Sequence, residues 1–362
     1  MTQRGIKKSL FFLPSGVGGA ERMSVLIGKM LPKDRYYVKY VVIGRQHKIY
    51  DILPKQYDVD CIPLHNIYAF STLRILWKII REKPDYVFAS QVAYNPRIII
   101  AAKMACRRVI IRSSGMLGNY PSLKLIRVQF TYPKADRLIA QQEEMRQEMI
   151  QLLNVNPNKV IAIHNPIDTT DIDELSKGPS PYPANNCINF VQAASVNHRK
   201  AQDIAIQSFA IVNKEIPNSE LYFVGNFDEK SDYFQRLQLL ADELKVTRHI
   251  HFIGYDKNPF RWVKNSDCFV FPSRAEGLPN ALIEASYLGV PCVATRCLTI
   301  VDEIIKDGQN GCVVNVDDVE AFAKAMLKAV KLKNCKMIYK PGTSEEFTRL
   351  FEDINDNQNR SI

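Results

Sequence analysis

Two glutamates with seven residues between them, Glu276 and Glu284, bracket the stretch Arg274 to Glu284, read as RAEGLPNALIE. Carboxylates accept hydrogen bonds from hydroxyl groups. Between them lie the turn residues Gly277 and Pro279 and the start of a helix expected over Ala281 to Tyr287, which Gly289 and Pro291 stop. The run Asp267 to Ser273 ahead of it is apolar and aromatic at its centre and predicts a buried strand. Such a strand–turn–helix unit points the unpaired N–H groups and partial positive charge of the helix start at the crevice above the sheet. Anion-binding backbone set between two acceptors for hydroxyls suits a ligand that carries both phosphates and hydroxyls, such as a nucleotide sugar.

A second unit of the same kind opens the chain. The strand Lys8 to Pro14 breaks at Ser15-Gly16-Val17-Gly18-Gly19, and an amphipathic helix is expected from Ala20 to Met30. Glu21 occupies the place of the third glycine of a dinucleotide fingerprint, and no Gly-Lys-Ser/Thr follows, so neither an NAD site nor a P-loop is indicated. Arg112 and Ser113 lie just past another strand, Val109 to Ile111, where Arg112 could hold an anion or be an ordinary surface charge. His164 ends the last strand of this half and reads more readily as a hinge histidine than as a catalytic one. Asp171-Ile172-Asp173 has the spacing of a metal motif but falls in an interdomain stretch and reads as solvated surface.

The elements that must position these residues alternate throughout. Short apolar strands at Tyr37–Ile43, Tyr86–Ala89, Arg137–Ala140 and Val160–Ile163 are interleaved with helices, of which Phe70 to Arg81 is one. The second half repeats the pattern from Ile188 onward. This is the signature of α/β architecture with two doubly wound parallel sheets. The 362 residues fit two domains. The polar, Pro-rich run through Gly178-Pro179-Ser180-Pro181-Tyr182-Pro183 marks their boundary, giving a first domain over 1–165, a linker over 166–184, a second domain over 185–342, and a C-terminal helix and tail over 343–362. Thr343-x-x-Glu346 reads as a capping box for that helix. The eight cysteines are scattered without a C-x-x-C pair, as in reduced core positions of a cytosolic protein. No apolar run reaches the roughly 18 residues of a membrane span.

Charge is divided unevenly. Residues 1–165 hold 26 Lys and Arg against 11 Asp and Glu, while residues 166–362 hold 22 against 27. A basic half favours anionic surfaces, either lipid headgroups or nucleic acid.

Two doubly wound domains, the Gly18-Gly19 loop and Glu276-x7-Glu284 together resemble the retaining nucleotide-sugar glycosyltransferases of family 4, with the GT-B fold of two Rossmann-like domains facing each other across a cleft. The likeness is strongest from about Val191 to Val314 and includes Arg199-Lys200-Ala201-Gln202-Asp203, Phe223-Val224-Gly225, Phe252-Ile253-Gly254 and Asp307-Gly308-x-x-Gly311. Within the family the chain is most similar to bacterial capsule, O-antigen and glycan-assembly enzymes. The resemblance implies that Arg199 and Lys200 bind the donor diphosphate and stabilise the leaving group. It implies that Glu284 accepts from the ribose hydroxyls and that Glu276 contacts the donor sugar. Backbone from Gly277, Leu278, Asn280 and Ala281 would cradle sugar and phosphate, with Gly225 and Tyr255 beside the nucleotide and Gly18-Gly19 closing from the first domain. Arg112 and Ser113 would stand on the acceptor side, where many of these enzymes place a histidine.

The implied activity is transfer of a hexose or N-acetylhexosamine from a UDP-sugar or similar donor to a glycan or lipid-diphosphate-linked saccharide. No metal or other cofactor is expected, since two fixed cations can take the metal's place at the diphosphate. The expected location is the cytoplasmic face of the plasma membrane, with the basic domain on an anionic leaflet. Alternatives are a nucleotide-sugar epimerase on the same fold and, among non-enzymes, a nucleic-acid-binding protein. The latter lacks any aromatic-interleaved basic stripe, and no nucleic-acid partner is expected.

Overall fold

The computed structural model describes residues 5–16, 18–44, 49, 52–53, 55–63, 68–184 and 186–356. They form two compact units, Met1–Ile167 with Pro341–Ile362, and Asp168–Lys340.

The first unit runs β1 (Lys7–Pro14), α1 (Gly19–Met30), β2 (Tyr36–Ile43), β3 (Asp58–Ile62), α2 (Tyr68–Glu82), β4 (Tyr86–Ala89), α3 (Asn95–Met104), β5 (Arg108–Arg112), α4 (Ser122–Thr131), β6 (Arg137–Ala140), α5 (Glu143–Leu153) and β7 (Val160–Ala162). Its seven strands are all parallel in the order β3-β2-β1-β4-β5-β6-β7. The period-2 rule explains why the strands read as unbroken apolar runs. Leu10 and Phe12 of β1, with Val87 and Ala89 of β4, pack under Ile75, Ile79, Ile99 and Val128 of α2, α3 and α4. Phe11, Leu13, Tyr86 and Phe88 point the other way, to Val25 and Ile27 of α1.

The second unit runs α6 (Thr169–Ser176), β8 (Ile188–Ala193), α7 (Gln202–Glu215), β9 (Ser219–Val224), α8 (Asp232–Glu243), β10 (Ile250–Gly254), α9 (Phe260–Lys264), β11 (Cys268–Phe271), α10 (Asn280–Tyr287), β12 (Cys292–Thr295), α11 (Val301–Ile304), β13 (Gly311–Val314) and α12 (Val319–Ala329). Its six parallel strands take the order β10-β9-β8-β11-β12-β13. Both sheets are therefore doubly wound. Strand order reverses between β1 and β4 in one and between β8 and β11 in the other, and ligands of such sheets bind at these switch points.

The chain's last helix, α13 (Ser344–Asp356), belongs to the first unit instead of standing alone. The capping box forms as expected: Thr343 N–H donates to Glu346 at 2.8 Å and Glu346 N–H to Thr343 Oγ1 at 3.3 Å. Phe347, Leu350 and Phe351 are then buried on the α1 side of the sheet, where the Phe351 ring lies 5.3 Å from that of Tyr86 and 5.7 Å from that of Tyr36.

The stretch expected as a linker is also organised. Asp168 caps α6 by accepting from Asp171 N–H at 3.2 Å, Ile172 is buried, and Leu175 C=O accepts from Asn258 at 2.8 Å. Tyr182 donates to Trp262 C=O at 2.7 Å. The Pro-rich composition concealed these anchors, and residues 168–184 form part of the second unit. Among the cysteines, 268, 292, 312 and 335 are buried in the second unit as expected of core thiols, whereas Cys61 and Cys106 are exposed.

Candidate active site

The sequence Asn197-His198-Arg199-Lys200-Ala201-Gln202 follows β8 as a single 3-10 turn, His198–Lys200, fixed from beneath. Asn197 Oδ1 accepts from Lys200 N–H at 3.3 Å, and Gln192 donates to Lys200 C=O at 2.8 Å. Gln202, fully buried, accepts from Asn197 N–H and donates to Ser195 C=O. Ala201 sits in left-handed backbone at φ +52°, a conformation costing a non-glycine residue about 1–2 kcal/mol. That strain is held by the two glutamine side chains and turns the chain from Lys200 directly into α7. Both basic residues are thus aimed by buried polar groups.

The second loop, after β11, is joined to the first. Arg274 N–H donates to Arg199 C=O at 2.9 Å. The Arg274 guanidinium grips both oxygens of Asp203 at 3.0 and 2.7 Å, bonds Asp317 at 2.7 Å and donates to His198 C=O at 2.9 Å. Tyr233 adds a bond to Asp203 at 2.8 Å. Burial acts to raise the Asp203 carboxyl, but the hydrogen bonds from Arg274 and Tyr233 overcome it and hold Asp203 below the usual carboxylate range. The bond to Asp203, chiefly, raises Arg274 further above its ordinary value. The sequence reading gave Arg274, Asp203 and Asp317 no role. Their separation along the chain leaves no local pattern, and a forked Arg–carboxylate pair is visible once the loops meet.

The loops converge on Glu276, whose side chain is 6% exposed. Lys200 Nζ donates to Glu276 Oε1, Arg199 Nη1 to Oε2 at 3.0 Å, and Ser273 Oγ to Oε1 at 2.9 Å. Lys200 is the inner cation, lying over the Phe271 ring, and Arg199 the outer one, about half exposed. The sequence reading separated these residues into a diphosphate end and a sugar end. The structure brings all three into one ion cluster at the β8/β11 switch point.

Beyond Glu276 the chain makes a tight inverse γ-turn at Pro279 (φ −83°, ψ 65°), closed by Asn280 N–H donating to Leu278 C=O at 3.0 Å. Pro279 has no N–H, and that of Asn280 is used, so the cradle is narrower than expected. Among the described residues, the N–H groups of Gly277, Leu278 and Ala281 take no partner from the protein. Leu278 is buried, so what it offers is backbone. Leu282, Ile283, Ala285 and Ser286 bury one face of α10, leaving Asn280, Ala281 and Glu284 half-buried on the other. Glu284 thus stands one turn along from Asn280, on the same half-buried side of the helix.

Gly225 and Tyr255 lie at the neighbouring strand ends. Gly225 N–H donates to Gly254 C=O at 2.8 Å, and at φ +155° a β-carbon there would stand 2.2 Å from Ala194 C=O, so the close approach of β8 and β9 requires glycine. Tyr255, after β10, is exposed.

The first unit has its own switch-point cluster. Gly18 and Gly19 open α1, and a β-carbon on Gly18 would lie 2.7 Å from Glu21 Oε2. Glu21, the residue in place of a third glycine, is buried and accepts from Gln91 at 2.9 Å. Arg112 is fully buried, not a surface charge, and donates to Asn165. Ser113, also buried, donates to Gly115 C=O at 2.8 Å. Gly342 packs against His164 C=O, which gives that residue a place in the chain's return to the first unit. Asp171 and Asp173 lie on exposed α6, where Asp173 accepts from Tyr287 at 2.9 Å.

The chain is similar to known proteins along most of its length. Residues 17–171 match the family model Glycosyltransferase Family 4, and residues 183–345 match Glycosyl transferases group 1. The chain belongs to the family 4-like glycosyltransferases of GT-B fold. It is 25% identical over 82% of its length to an uncharacterised glycosyltransferase of Methanocaldococcus jannaschii, covering 70% of that protein. It is 22% identical to the UDP-Gal:alpha-D-GlcNAc-diphosphoundecaprenol alpha-1,3-galactosyltransferase of Escherichia coli, covering 88% of each chain. Among solved structures, Anabaena HepE in complex with UDP-glucose superposes with a TM-score of 0.80 at 17% identity, over 97% of this chain and 100% of that one. The cluster around Glu276 sits at a sheet's switch point, beside a helix N-terminus, a place where doubly wound sheets bind ligands and helix starts favour anions.

Proposed function

We propose that this glycosyltransferase moves a hexose or N-acetylhexosamine from a nucleoside diphosphate sugar, foremost a UDP-sugar, to a glycan or lipid-diphosphate-linked saccharide. The anomeric configuration is retained, and the product serves cell-surface polysaccharide or glycoconjugate assembly, such as capsule or lipopolysaccharide. The observation that carries this reading is the pairing of Lys200 and Arg199 with one buried carboxylate beside three backbone N–H groups that have no partner among the described residues. The names of the relatives support the same class: the Escherichia coli protein is named for a UDP-Gal donor and a diphosphoundecaprenol-linked acceptor, and HepE holds UDP-glucose.

In this reading a diphosphate competes with Glu276 for Lys200 and Arg199. The incoming anion takes the two cations, and Glu276, released, accepts from the donor-sugar hydroxyls. As the bond from the anomeric carbon to the phosphate oxygen breaks, the leaving group gathers charge where the fixed cations and the N–H groups of Gly277, Leu278 and Ala281 stabilise it. The acceptor oxygen bonds the anomeric carbon from the same face, and its proton passes to the departing phosphate oxygen. Glu284 holds the ribose hydroxyls. We read the two cations as taking a metal's place, so transfer proceeds without one. The enzyme works at the cytoplasmic side of the plasma membrane; no helix among the described residues is long and apolar enough to cross it.

A thermal-shift panel of nucleoside diphosphates and their sugars, followed by product analysis with lipid-linked saccharides, tests the reading. Ligand at about 100 times its Kd should stabilise by about 2.7 kcal/mol. A donor consumed with its sugar merely epimerised, or a panel in which no nucleotide raises Tm, would overturn the proposal. Turnover that collapses in EDTA would refute the metal-independent step.

A further inference from the structure

On α2, Leu73, Trp77 and Ile80 follow one another at helical spacing, with Phe70 ahead of them on the same side. Their opposite face is the core face, where Ser71, Ile75, Lys78 and Ile79 are buried. α4 repeats the device with Leu123, Ile126 and Phe130, while Val128 and Thr131 are buried. Leu73, Trp77, Ile80, Leu123, Ile126 and Phe130 are each between 48% and 75% exposed. α3 packs between the two helices and adds the exposed Met104. Large apolar side chains at the surface of the second unit, such as Leu175, Leu239 and Tyr255, are instead scattered over separate elements.

The charges among the stripes are of one sign. α2 shows Arg74 and Arg81 outward, the latter 5.3 Å from the Trp77 ring, and turns its single acid, Glu82, inward onto Lys8, Lys39 and Lys78. α4 has no acid and carries exposed Lys124 and Arg127. The acidic border comes at α5, whose first turn holds exposed Glu143 and Glu144. Apolar anchors ringed by cations fit an anionic bilayer, into which the anchors insert while the basic groups meet headgroup phosphates. A second copy of the chain would set the same cations against each other across a two-fold axis.

We propose that the outward faces of α2 and α4 form one docking surface that seats the first unit on an anionic lipid leaflet. This extends the proposed function, on which it rests for its purpose: a lipid-linked acceptor is met at the membrane. The test is sedimentation with phosphatidylcholine vesicles carrying about 30 mol % phosphatidylglycerol, against phosphatidylcholine alone. The protein should bind the anionic vesicles at least about tenfold more tightly. Trp77→Ser with Phe130→Ser should weaken that binding at least about tenfold. Arg74→Glu with Arg81→Glu should weaken it similarly while retaining the apolar anchors, and Leu239→Ser on α8 should change nothing. All variants should keep their melting temperature and nucleotide-induced shift, since the substituted side chains are exposed. Equal binding to both vesicle types, or binding indifferent to both double variants, would overturn the proposal. So would a protein that ignores vesicles and is a dimer that Trp77→Ser with Phe130→Ser makes monomeric, or one that an acidic protein partner binds in place of lipid. A chain that docks as described yet transfers no sugar refutes the proposed function alone; one that glycosylates a soluble acceptor and ignores vesicles refutes docking alone.

Discussion

Glu82 in the first unit and Glu276 in the second are both carboxylates gripped by lysine, at opposite ends of their sheets. Glu82 closes α2 just ahead of β4 and meets Lys8 at the start of β1, with Lys39 and Lys78 completing the ring at 3.2 and 3.0 Å. Asp60 backs Lys39 and Lys78, so three cations share two carboxylates. Glu276 lies past the carboxyl end of β11, with two cations and one anion. Strand polarity makes the difference. In a parallel α/β sheet the helix C-termini, with their partial negative charge, gather at the amino edge, and the helix N-termini at the carboxyl edge. Cations at the amino edge are met by two carboxylates and by the negative ends of the helices. At the carboxyl edge Lys200 and Arg199 share the single carboxylate of Glu276 beside the positive helix end. Among the described residues the N–H groups of Gly277, Leu278 and Ala281 are open there, the setting in which the proposed function places an anion.

The largest effect should come from exchanging alanine for the central lysine of each cluster. Lys200→Ala should lower kcat by at least about 10²-fold, as expected for loss of a group that stabilises developing charge, with little change in Tm. Lys78→Ala should do the reverse: Tm falls by several degrees, because Asp60 and Glu82 lose a buried partner, while kcat stays within about twofold. Steady-state kinetics and calorimetry on the two variants decide it. Were Lys200→Ala to cost stability and spare turnover, the two clusters would be the same kind of object.

A smaller effect tests whether the second cluster is positioned from outside. Arg274 touches neither Glu276 nor its cations by side chain, yet it ties the Arg199 backbone to its own loop and pins Asp203 at the head of α7. Arg274→Lys keeps the charge but loses the fork. We expect kcat to fall about tenfold with donor KM less affected, because the cations are misaimed when charge develops and not removed. A rise in KM at constant kcat would make Arg274 a donor-binding residue instead.

The two clusters were unequally legible in sequence. Glu276, Glu284, Arg199 and Lys200 stood out because turn glycines and predicted strand ends framed them, and the alternation of apolar runs announced both sheets. What joined the loops was hidden. Arg274 and Asp203 are 71 positions apart, and nothing local distinguishes their pairing from two surface charges. The left-handed Ala201 gave no signal, since left-handed backbone usually announces itself with glycine. The strand β3, Asp58–Ile62, went unread because two of its five residues are acids, and one of them, Asp60, is held in place by Lys39 and Lys78. α4 went unread for a related reason: its apolar residues face outward, so its pattern is not that of a core helix. Side chains that answer to distant charges or to the outside of the protein leave weak periodicity.

Acid provides the mildest separation of the clusters. Burial acts to raise Glu82, but hydrogen bonds from Lys8, Lys78 and Lys39 more than reverse this and hold it down to about 2, from an ordinary 4.5. A carboxyl depressed in the folded state binds protons more readily when unfolded. Its stabilising contribution is therefore complete above about pH 4.5 and fades as pH falls toward about 2. Asp203, held low by Arg274 and Tyr233, has the same sign, its contribution being lost as pH drops below the ordinary aspartate value. Glu82→Gln should cost about 5 °C in Tm at neutral pH, and its melting curve should approach that of the unmodified chain as acid removes the ionic advantage from the latter. Asp203→Asn should converge similarly but also carry a kinetic defect at neutral pH, because it frees Arg274. A Glu82→Gln protein whose Tm deficit stays constant down to about pH 3 would show that the lysine ring owes its stability to packing and not to charge.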